Sequence, residues 1–280
     1  MTGKRDIPWL LASPGILLVT LVALLPAAIL IVKAFQDVDT GALTLENFQA
    51  IFDSKIFGQA FWRTLRIAFF VTLVSVIGGY PLALLIARAN PRYSLVIFVI
   101  VLFPLMVSVV VRTFGWVVIL GPAGIVNEAL MGIGLISEPL TMTQNEFGIV
   151  VGETHLLMPY MVLALLSVLR KLEPQLEEAA LSLGANPLVA FFRVILPMTV
   201  PGLLSGVLLV FSLAITAFAT PLVMGGARTP LLSTLVYRYA LTSYDWASAA
   251  AVAFVLAVIA VAFVAVQKTV ARMWMSRHEF

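Results

Sequence analysis

The chain has 280 residues, of which 61% are hydrophobic and 11% are charged, and its formal net charge is +3. Soluble domains have about 45–50% apolar and about 25% charged residues, so this composition indicates a membrane protein. The small net charge gives no indication of a nucleic-acid partner. The absence of cysteine excludes disulfides, thiol catalysis and Cys-ligated metal sites.

The first apolar run follows a short basic N-terminus and extends from about residue 8 to residue 35. A secretory signal has a shorter hydrophobic region, of about 7–15 residues, followed by a small-residue cleavage site. No such site follows Phe35. The run therefore predicts an uncleaved first transmembrane span.

Six apolar segments are long enough to cross a bilayer, which requires about 20 residues for a hydrocarbon core of roughly 30 Å. They predict an all-α membrane protein that forms one transmembrane domain over residues 1–280. The predicted spans are 13–35, 63–87, 94–120, 147–169, 197–219 and 247–269. Kinks are expected at the prolines inside or near these spans, which are Pro26, Pro81, Pro104 and Pro159.

The distribution of basic residues predicts the orientation, because Lys and Arg concentrate in short cytoplasmic loops. With the N-terminus inside, the opposite side is rich in acidic residues, and we expect both termini to be cytoplasmic. Ten of the 17 basic residues then lie in cytoplasmic segments, namely Lys4, Arg5, Arg88, Arg92, Arg170, Lys171, Arg193, Lys268, Arg272 and Arg277.

Two stretches on the predicted outer side, 121–143 and 231–246, are too short or too polar to be spans. Their apolar spacing and Gly/Pro turns predict short amphipathic helices on the membrane surface. They are either docking sites for an external partner or lids that pack on the spans.

The longest predicted cytoplasmic connection is the loop 170–196. Its apolar stripe has helical spacing, with members at i, i+3, i+4 and i+7. Gly184 follows the stripe as a helix C-cap would, and Asn186-Pro187 has the pattern of a helix start. The loop therefore predicts helix–turn–helix. The stripe consists of Leu176, Ala179, Ala180 and Leu183.

The first helix of this loop has a small-residue face and an acidic end, Glu177 and Glu178. Such a helix fits closely into a groove on another protein, where basic groups or backbone N–H donors would meet the acids. The alternative is an amphipathic helix resting on the bilayer. The acidic residues favour docking on a protein, because anionic lipid headgroups attract Lys and Arg.

The loop also carries a Glu-Ala-Ala triplet, followed four residues later by glycine and, at the end of the loop, by Leu-Pro. These residues are Glu178, Ala179, Ala180, Gly184, Leu196 and Pro197. The pattern resembles the cytoplasmic coupling loop of ABC-importer permeases, through which the membrane subunit contacts its ATPase. Val194 stands where that family usually has isoleucine.

The resemblance extends from about residue 10 to residue 270, and it is similar in detail to spermidine/putrescine-type permeases. The matching stretches are 112–116, 121–127, 159–163, 218–226 and 245–252. It implies the six-span fold of type I ABC-importer permeases, of the MetI-like architecture. Related subfamily members carry opines or amino-acid derivatives, phosphonates, thiamine or ferric iron, so a polyamine or related charged solute is the expected cargo with these as alternatives.

The resemblance also implies the partners. We expect a sister permease subunit, two ATP-binding cassette subunits, a soluble periplasmic or extracellular substrate-binding protein and membrane lipid, all at a bacterial inner membrane. No cofactor is expected in this chain, because ATP and Mg²⁺ would bind the partner subunits. The sequence agrees, since it contains no Gly-x4-Gly-Lys-Ser/Thr phosphate loop.

The fourth predicted span contains two ionisable residues, Glu153 and His155. Such groups are costly at bilayer depth and usually functional. Glu153 would attract a cationic solute to nearby aromatic faces. The alternative is structural: Glu153 pairs with Arg112 or with a donor on another helix, and His155 bonds a backbone carbonyl. The aromatic candidates for the substrate pathway are Tyr80, Trp116, Tyr160 and Phe218.

Two other classes of protein remain as alternatives. A self-sufficient secondary transporter or channel often shows internal repeats with paired broken helices, and no such repeat is evident. An intramembrane enzyme would need a nucleophile with a nearby base, and the serines of the spans have no histidine near them in sequence. Two well-separated histidines predict no metal site.

Overall fold

The computed structural model describes residues 9–37, 40–226 and 228–277. These residues are predominantly helical, and an isolated β-bridge joins Gln36 and Leu43. Lys4 and Arg5, which support the predicted orientation, lie outside the described residues.

The helices are numbered in chain order. The first seven are α1 (Trp9–Val19), α2 (Leu25–Ala34), α3 (Glu46–Asp53), α4 (Lys55–Arg88), α5 (Pro91–Met106), α6 (Val109–Leu120) and α7 (Ile125–Gly132). The remainder are α8 (Glu146–Leu169), α9 (Pro174–Ser182), α10 (Pro187–Ala190), α11 (Leu196–Thr216), α12 (Leu232–Tyr237) and α13 (Trp246–Arg277). Single π-helical turns cover Thr20–Leu24, Phe191–Ile195, Pro221–Gly225 and Arg238–Thr242.

Six helical segments of the described chain are long and apolar enough to cross a membrane. This agrees with the predicted all-α membrane class and its number of spans, although the third segment begins and ends later than predicted. The segments are Ser13–Ala34, Lys55–Arg88, Val109–Gly132, Glu146–Leu169, Pro187–Thr216 and Trp246–Met273.

The predicted third span, 94–120, is not one helix. It is divided between α5 and α6, because Val107 and Ser108 have extended backbone, with ψ values of 138° and 134°. In a continuous helix the Pro104 carbonyl would accept the Ser108 N–H. It instead accepts the Val107 N–H at 3.3 Å and a hydrogen bond from the Arg112 guanidinium. The arginine therefore satisfies a carbonyl that the break exposes.

Two of the π-helical turns have a direct cause in the sequence. Pro26 and Pro197 have no backbone N–H, so the carbonyls of Val22 and Arg193, four residues earlier, cannot make the usual helical bond. Both carbonyls lie inside π-helical turns, Thr20–Leu24 and Phe191–Ile195. The wider turn lets each helix continue past its proline.

The chain divides into two compact units. The first comprises residues 1–57 and 235–255, and the second comprises 58–234 and 256–280. In the described part of the first unit, the Phe35 and Phe254 rings lie 5.4 Å apart between centroids. A single permease domain over the whole chain stays a prediction.

The core of the second unit is centred on α8 and α11. Glycines on α11 allow the two helices to approach closely, as small residues do in membrane helix pairs. A Cβ atom on Gly206 would lie 2.5 Å from the Met161 sulfur, and one on Gly202 would lie 3.0 Å from the Ala164 carbonyl oxygen. Val162 and Leu165 of α8 are fully buried in this core.

The predicted short helix within 121–143 is present as α7. Asn127, which is fully buried, holds the segment after it. Its amide donates to the Gly121 and Leu140 carbonyls at 2.9 and 3.0 Å, and its oxygen accepts the Leu140 N–H at 2.8 Å. The helix predicted within 231–246 is also present, as α12 and the π-helical turn that follows it.

Candidate functional site

The loop 170–196 folds as the predicted helix–turn–helix. Helix α9 begins with Pro174 at its first position and ends in a Schellman motif, in which Gly184 has φ +88°. The Gly184 N–H donates to the Leu181 carbonyl at 3.0 Å, and the Ala185 N–H donates to the Ala180 carbonyl at 3.1 Å. Glycine is favoured here because a Cβ disfavours this left-handed conformation.

The second helix of the loop starts as predicted. The Asn186 side chain caps α10 by accepting the Val189 N–H at 2.8 Å, and Pro187 occupies the first helical position. A π-helical turn then leads into α11, whose first residues are Leu196 and Pro197. The loop is thus a defined structure that connects the end of α8 to the start of α11.

The surface of α9 is left open by the described chain. No residue of α9 is buried, and Glu178 and Ala179 are exposed. Leu176 and Leu183 of the predicted apolar stripe are 41% and 89% exposed. This face is therefore available to another protein or to lipid.

The two adjacent acids of α9 have different environments. Glu177 forms an ion pair with Arg88, the last residue of α4, in which Nη1 donates to Oε1 at 3.0 Å and Nη2 contacts Oε2. Glu178 is exposed and forms no ion pair with the described residues. Of the two predicted contacts to another protein, Glu178 is therefore available and Glu177 is engaged within the chain.

A cavity of 410 Å³ separates α9 from the ends of α4, α8 and α11. Its lining includes Leu169, Leu176, Glu178 and Met198 together with the Arg88–Glu177 pair. Helix α9 is therefore incompletely packed against the ends of the spans.

Glu153 lies deep in the core of the second unit, with 2% of its surface exposed. Thr220 lies near its carboxylate, and Thr113 lies beside Thr220 at 3.3 Å between hydroxyl oxygens. The Oε2 atom of Glu153 has no hydrogen-bond partner in the described structure. Arg112 is near enough to interact electrostatically, but its described hydrogen bond goes to a backbone carbonyl.

His155 points away from Glu153, since residues two apart lie on opposite sides of a helix. Its Nδ1 accepts a hydrogen bond from the Trp116 indole N–H at 3.1 Å, so the predicted bond to a backbone carbonyl is not among the described contacts. His155 and Trp116 both line an apolar cavity of 510 Å³, together with Phe147 and Met158. Glu153 does not line this cavity.

The remaining aromatic candidates are spread along the second unit. Tyr80 is buried at the loop end, with its hydroxyl 2.6 Å from the Thr199 hydroxyl and its ring against Phe191. Tyr160 packs partly buried against the core. Phe218 lies between the end of α11 and the following π-helical turn. The structure therefore pairs Trp116 with His155.

Sequence reasoning missed three residues of these sites, namely Arg88, Thr113 and Thr220. The sequence marked Arg88 only as one of the basic residues on the predicted cytoplasmic side. Residue type gave no reason to single out Thr113 or Thr220, because threonines are common in apolar spans. One signal was available, because Thr220 precedes a proline at the end of a span. In the described residues, no group of three or more His, Asp or Glu side chains could hold a metal ion.

The family of inner-membrane components of binding-protein-dependent transport systems matches residues 79–275. The chain belongs to this family. It is therefore a permease subunit of an ABC importer, located in an inner membrane that it crosses several times, and ATP hydrolysis resides on separate subunits.

Curated relatives of this permease include polyamine permeases. It is 34% identical over 217 residues to the spermidine/putrescine transport system permease protein PotB of Haemophilus influenzae, covering 78% of this chain and 76% of that protein. It is 31% identical to PotB of Escherichia coli, covering 77% and 78%. It is also 29% identical to a putative 2-aminoethylphosphonate permease protein, PhnU, of Salmonella paratyphi A, covering 90% and 86%.

Solved structures confirm the type I permease fold. A chain of a bacterial ABC transporter involved in the import of the acidic polysaccharide alginate aligns with a TM-score of 0.81 at 23% identity, covering 95% of this permease and 96% of that chain. A chain of the inward-facing methionine transporter MetNI aligns with a TM-score of 0.60 at 18% identity, covering 79% and 99%. The fold is thus shared by importers whose named solutes differ.

Replacing Gly184 with alanine should loosen the loop. The substitution places a Cβ on a left-handed residue, at a cost of about 1 kcal/mol, which is a factor of about five in a local equilibrium. Hydrogen exchange at the Gly184 and Ala185 amides of the purified permease should accelerate by about that factor.

Gly132→Ala is the matched control, because Gly132 ends a helix and has open space where a Cβ would lie. It should leave exchange in the loop 170–196 unchanged. Equal exchange in the wild type and the Gly184→Ala variant would contradict the assignment of the turn.

Proposed function

We propose that this permease subunit forms half of a translocation pathway for a polyamine such as spermidine or putrescine. The similarity to two spermidine/putrescine permeases, over more than three quarters of each chain, carries this proposal. The complete importer would contain a sister permease, two ATP-binding cassette subunits and a soluble substrate-binding protein.

The buried carboxylate of Glu153 supports a cationic cargo. A carboxylate in an apolar protein core is costly unless it is paired or hydrogen-bonded. Its Oε2 atom lacks a partner among the described residues, so an ammonium group of the solute would satisfy it. Thr220 and Thr113 would add hydroxyl ligands, and the solute would reach them only in a conformation more open than the one described.

His155, Trp116, Tyr160, Phe218 and Tyr80 remain candidates for the pathway. The Trp116–His155 pair is the strongest of these, because both residues line the apolar cavity of 510 Å³. Methylene segments of a polyamine would pack there. Tyr80 would serve the opposite end of the bundle, beside the loop 170–196.

The loop 170–196 would couple this pathway to ATP hydrolysis. Glu178, Ala179 and Ala180 would contact an ATPase subunit, and Gly184 would set the angle of the contact. Leu196 and Pro197 would pass the movement into α11. The loop and both termini would lie on the cytoplasmic side, and closure of the ATPase subunits would drive alternating access.

A second cargo is favoured by a specific similarity. The permease is 29% identical to the putative 2-aminoethylphosphonate permease over 90% of its own length. That solute also carries an amine, which Glu153 would bind. Its phosphonate would need a cationic partner, for which Arg112 is the nearest candidate.

Uptake by the complete importer distinguishes the two cargoes. The chain can be affinity-tagged, purified from its source cells with its partners, and reconstituted into proteoliposomes containing ATP. We expect accumulation of labelled spermidine or putrescine that is competed by the other polyamine. Accumulation of 2-aminoethylphosphonate alone would establish the second cargo, and accumulation of neither would overturn both.

Replacing Glu153 with glutamine should weaken uptake without disturbing assembly. Hydrogen bonds to charged groups contribute about 1.5–3 kcal/mol, so we expect the KM for the polyamine to rise at least about tenfold. The exposed carboxylate of Glu128 on α7 provides the control, and Glu128→Gln should transport normally. An unchanged KM in the Glu153 variant would make that residue structural.

Replacing Glu178 with lysine should release the ATPase subunits. The substitution reverses the charge of an exposed residue on the proposed contact, where like-charge juxtaposition is costly. Co-purification of ATPase with the tagged permease measures the effect. Gln175→Lys, which also adds a positive charge to an exposed site on α9, is the control, and equal retention of ATPase in both variants would refute the contact.

A further inference from the structure

Helix α9 has one polar side-chain connection to the spans in the described structure. Of its side chains, that of Glu177 is the one with an ion pair or side-chain hydrogen bond to another helix, and its partner is Arg88. The cavity of 410 Å³ separates the rest of α9 from the span ends. This ion pair is therefore the polar side-chain contact that joins α9 to the end of α4.

The partner helix, α4, is long and continuous. It runs from Lys55 to Arg88 and continues past Pro81. Arg88 is its last residue, so the ion pair with Glu177 lies at the end of the helix. From Arg63 to Arg88 the helix extends about 37 Å, at 1.5 Å per residue. The helix is unbroken on both sides of Pro81, so we expect a displacement at one end to reach the other.

The far end of α4 is also anchored by arginine. Arg63 Nε donates to Glu146 Oε1 at 3.0 Å, and Arg63 Nη1 donates to the Pro230 carbonyl at 3.2 Å. Arg66 contacts the same Glu146 carboxylate. Glu146 begins α8 and Pro230 precedes α12, so this end of α4 holds two segments distant from the loop 170–196.

We propose that Arg88 and Glu177 form a tether through which a displacement of α9 moves α4, and through α4 the segments held by Arg63. The inference rests on the proposed docking of the loop 170–196 on an ATPase subunit. Arg88 is then a positioning residue for coupling. Glu177 faces inward to the spans while Glu178, beside it, stays free for the partner.

The Arg88–Glu177 pair is partly exposed to solvent, so a role in coupling can be tested separately from a role in folding. The Arg88 and Glu177 side chains are 45% and 24% exposed, and ion pairs at such positions stabilise a fold little. Removing the pair should therefore leave the permease folded. What is lost is the fixed distance between α9 and the end of α4.

Charge reversal tests the tether. The single variants Arg88→Glu and Glu177→Arg should keep the ATPase subunits bound but reduce ATP-driven uptake at least about tenfold in the complete importer. The double variant, Arg88→Glu with Glu177→Arg, restores the ion pair in the opposite sense and should recover most of the uptake. Arg92, an exposed residue in the first turn of α5, provides the control. The Arg92→Glu variant should show unchanged uptake.

The cysteine-free sequence allows a second test in which this chain has no other thiol to label. The variant Arg88→Cys with Glu177→Cys lacks the ion pair and should transport poorly. Joining the two cysteines with a short bis-maleimide should restore uptake, because the tether transmits movement without having to open.

The outcomes of these experiments are distinct. Full uptake in the single charge-reversal variants, or failure of the double variant to recover, would overturn the tether. Failure of the cross-link to restore uptake to the double-cysteine variant would also overturn it. Loss of the ATPase subunits from the Glu178→Lys variant tests the proposed docking independently, so failure of the docking and failure of the tether are told apart.

Discussion

The close packing of α8 against α11 is the constraint on which the rest of the second unit depends. Gly202 and Gly206 bring α11 to within contact of α8 side chains and backbone, and α8 carries the largest share of the buried core. The loop 170–196 leaves one of these helices and enters the other. The distance between its ends is therefore set by the helix packing and not by the loop.

A second constraint is that backbone polar groups need partners where the chain is apolar. The break between α5 and α6 frees the Pro104 carbonyl, and Arg112 satisfies it. This contact gives the arginine a hydrogen-bond acceptor within an apolar helix. Glu153 has no ion pair among the described residues, and its unpaired Oε2 atom is the basis of the proposed contact with a cationic solute.

The loop 170–196 combines an ordered backbone with an open surface. Its caps are all made locally, by Gly184 and by Asn186 with Pro187, so its shape does not depend on the spans. Its second half packs on the core through Phe191 and Ile195, but no residue of α9 is buried and Leu183 is almost fully exposed. A preformed, weakly seated helix is well suited to follow a partner protein, because moving it breaks little packing.

Local sequence determined much of this protein. Apolar segments of sufficient length indicated the spans, and Gly184, Asn186 and Pro187 indicated the turn and helix start, because each acts through its own backbone or its near neighbours. Tertiary structure alone decided that Glu177 pairs with Arg88, 89 positions away, and that Glu153 lies beside Thr220 while His155 bonds Trp116. These contacts depend on which faces of distant helices meet, and an apolar span with no alternating polar face does not show in sequence which side it turns to its neighbours.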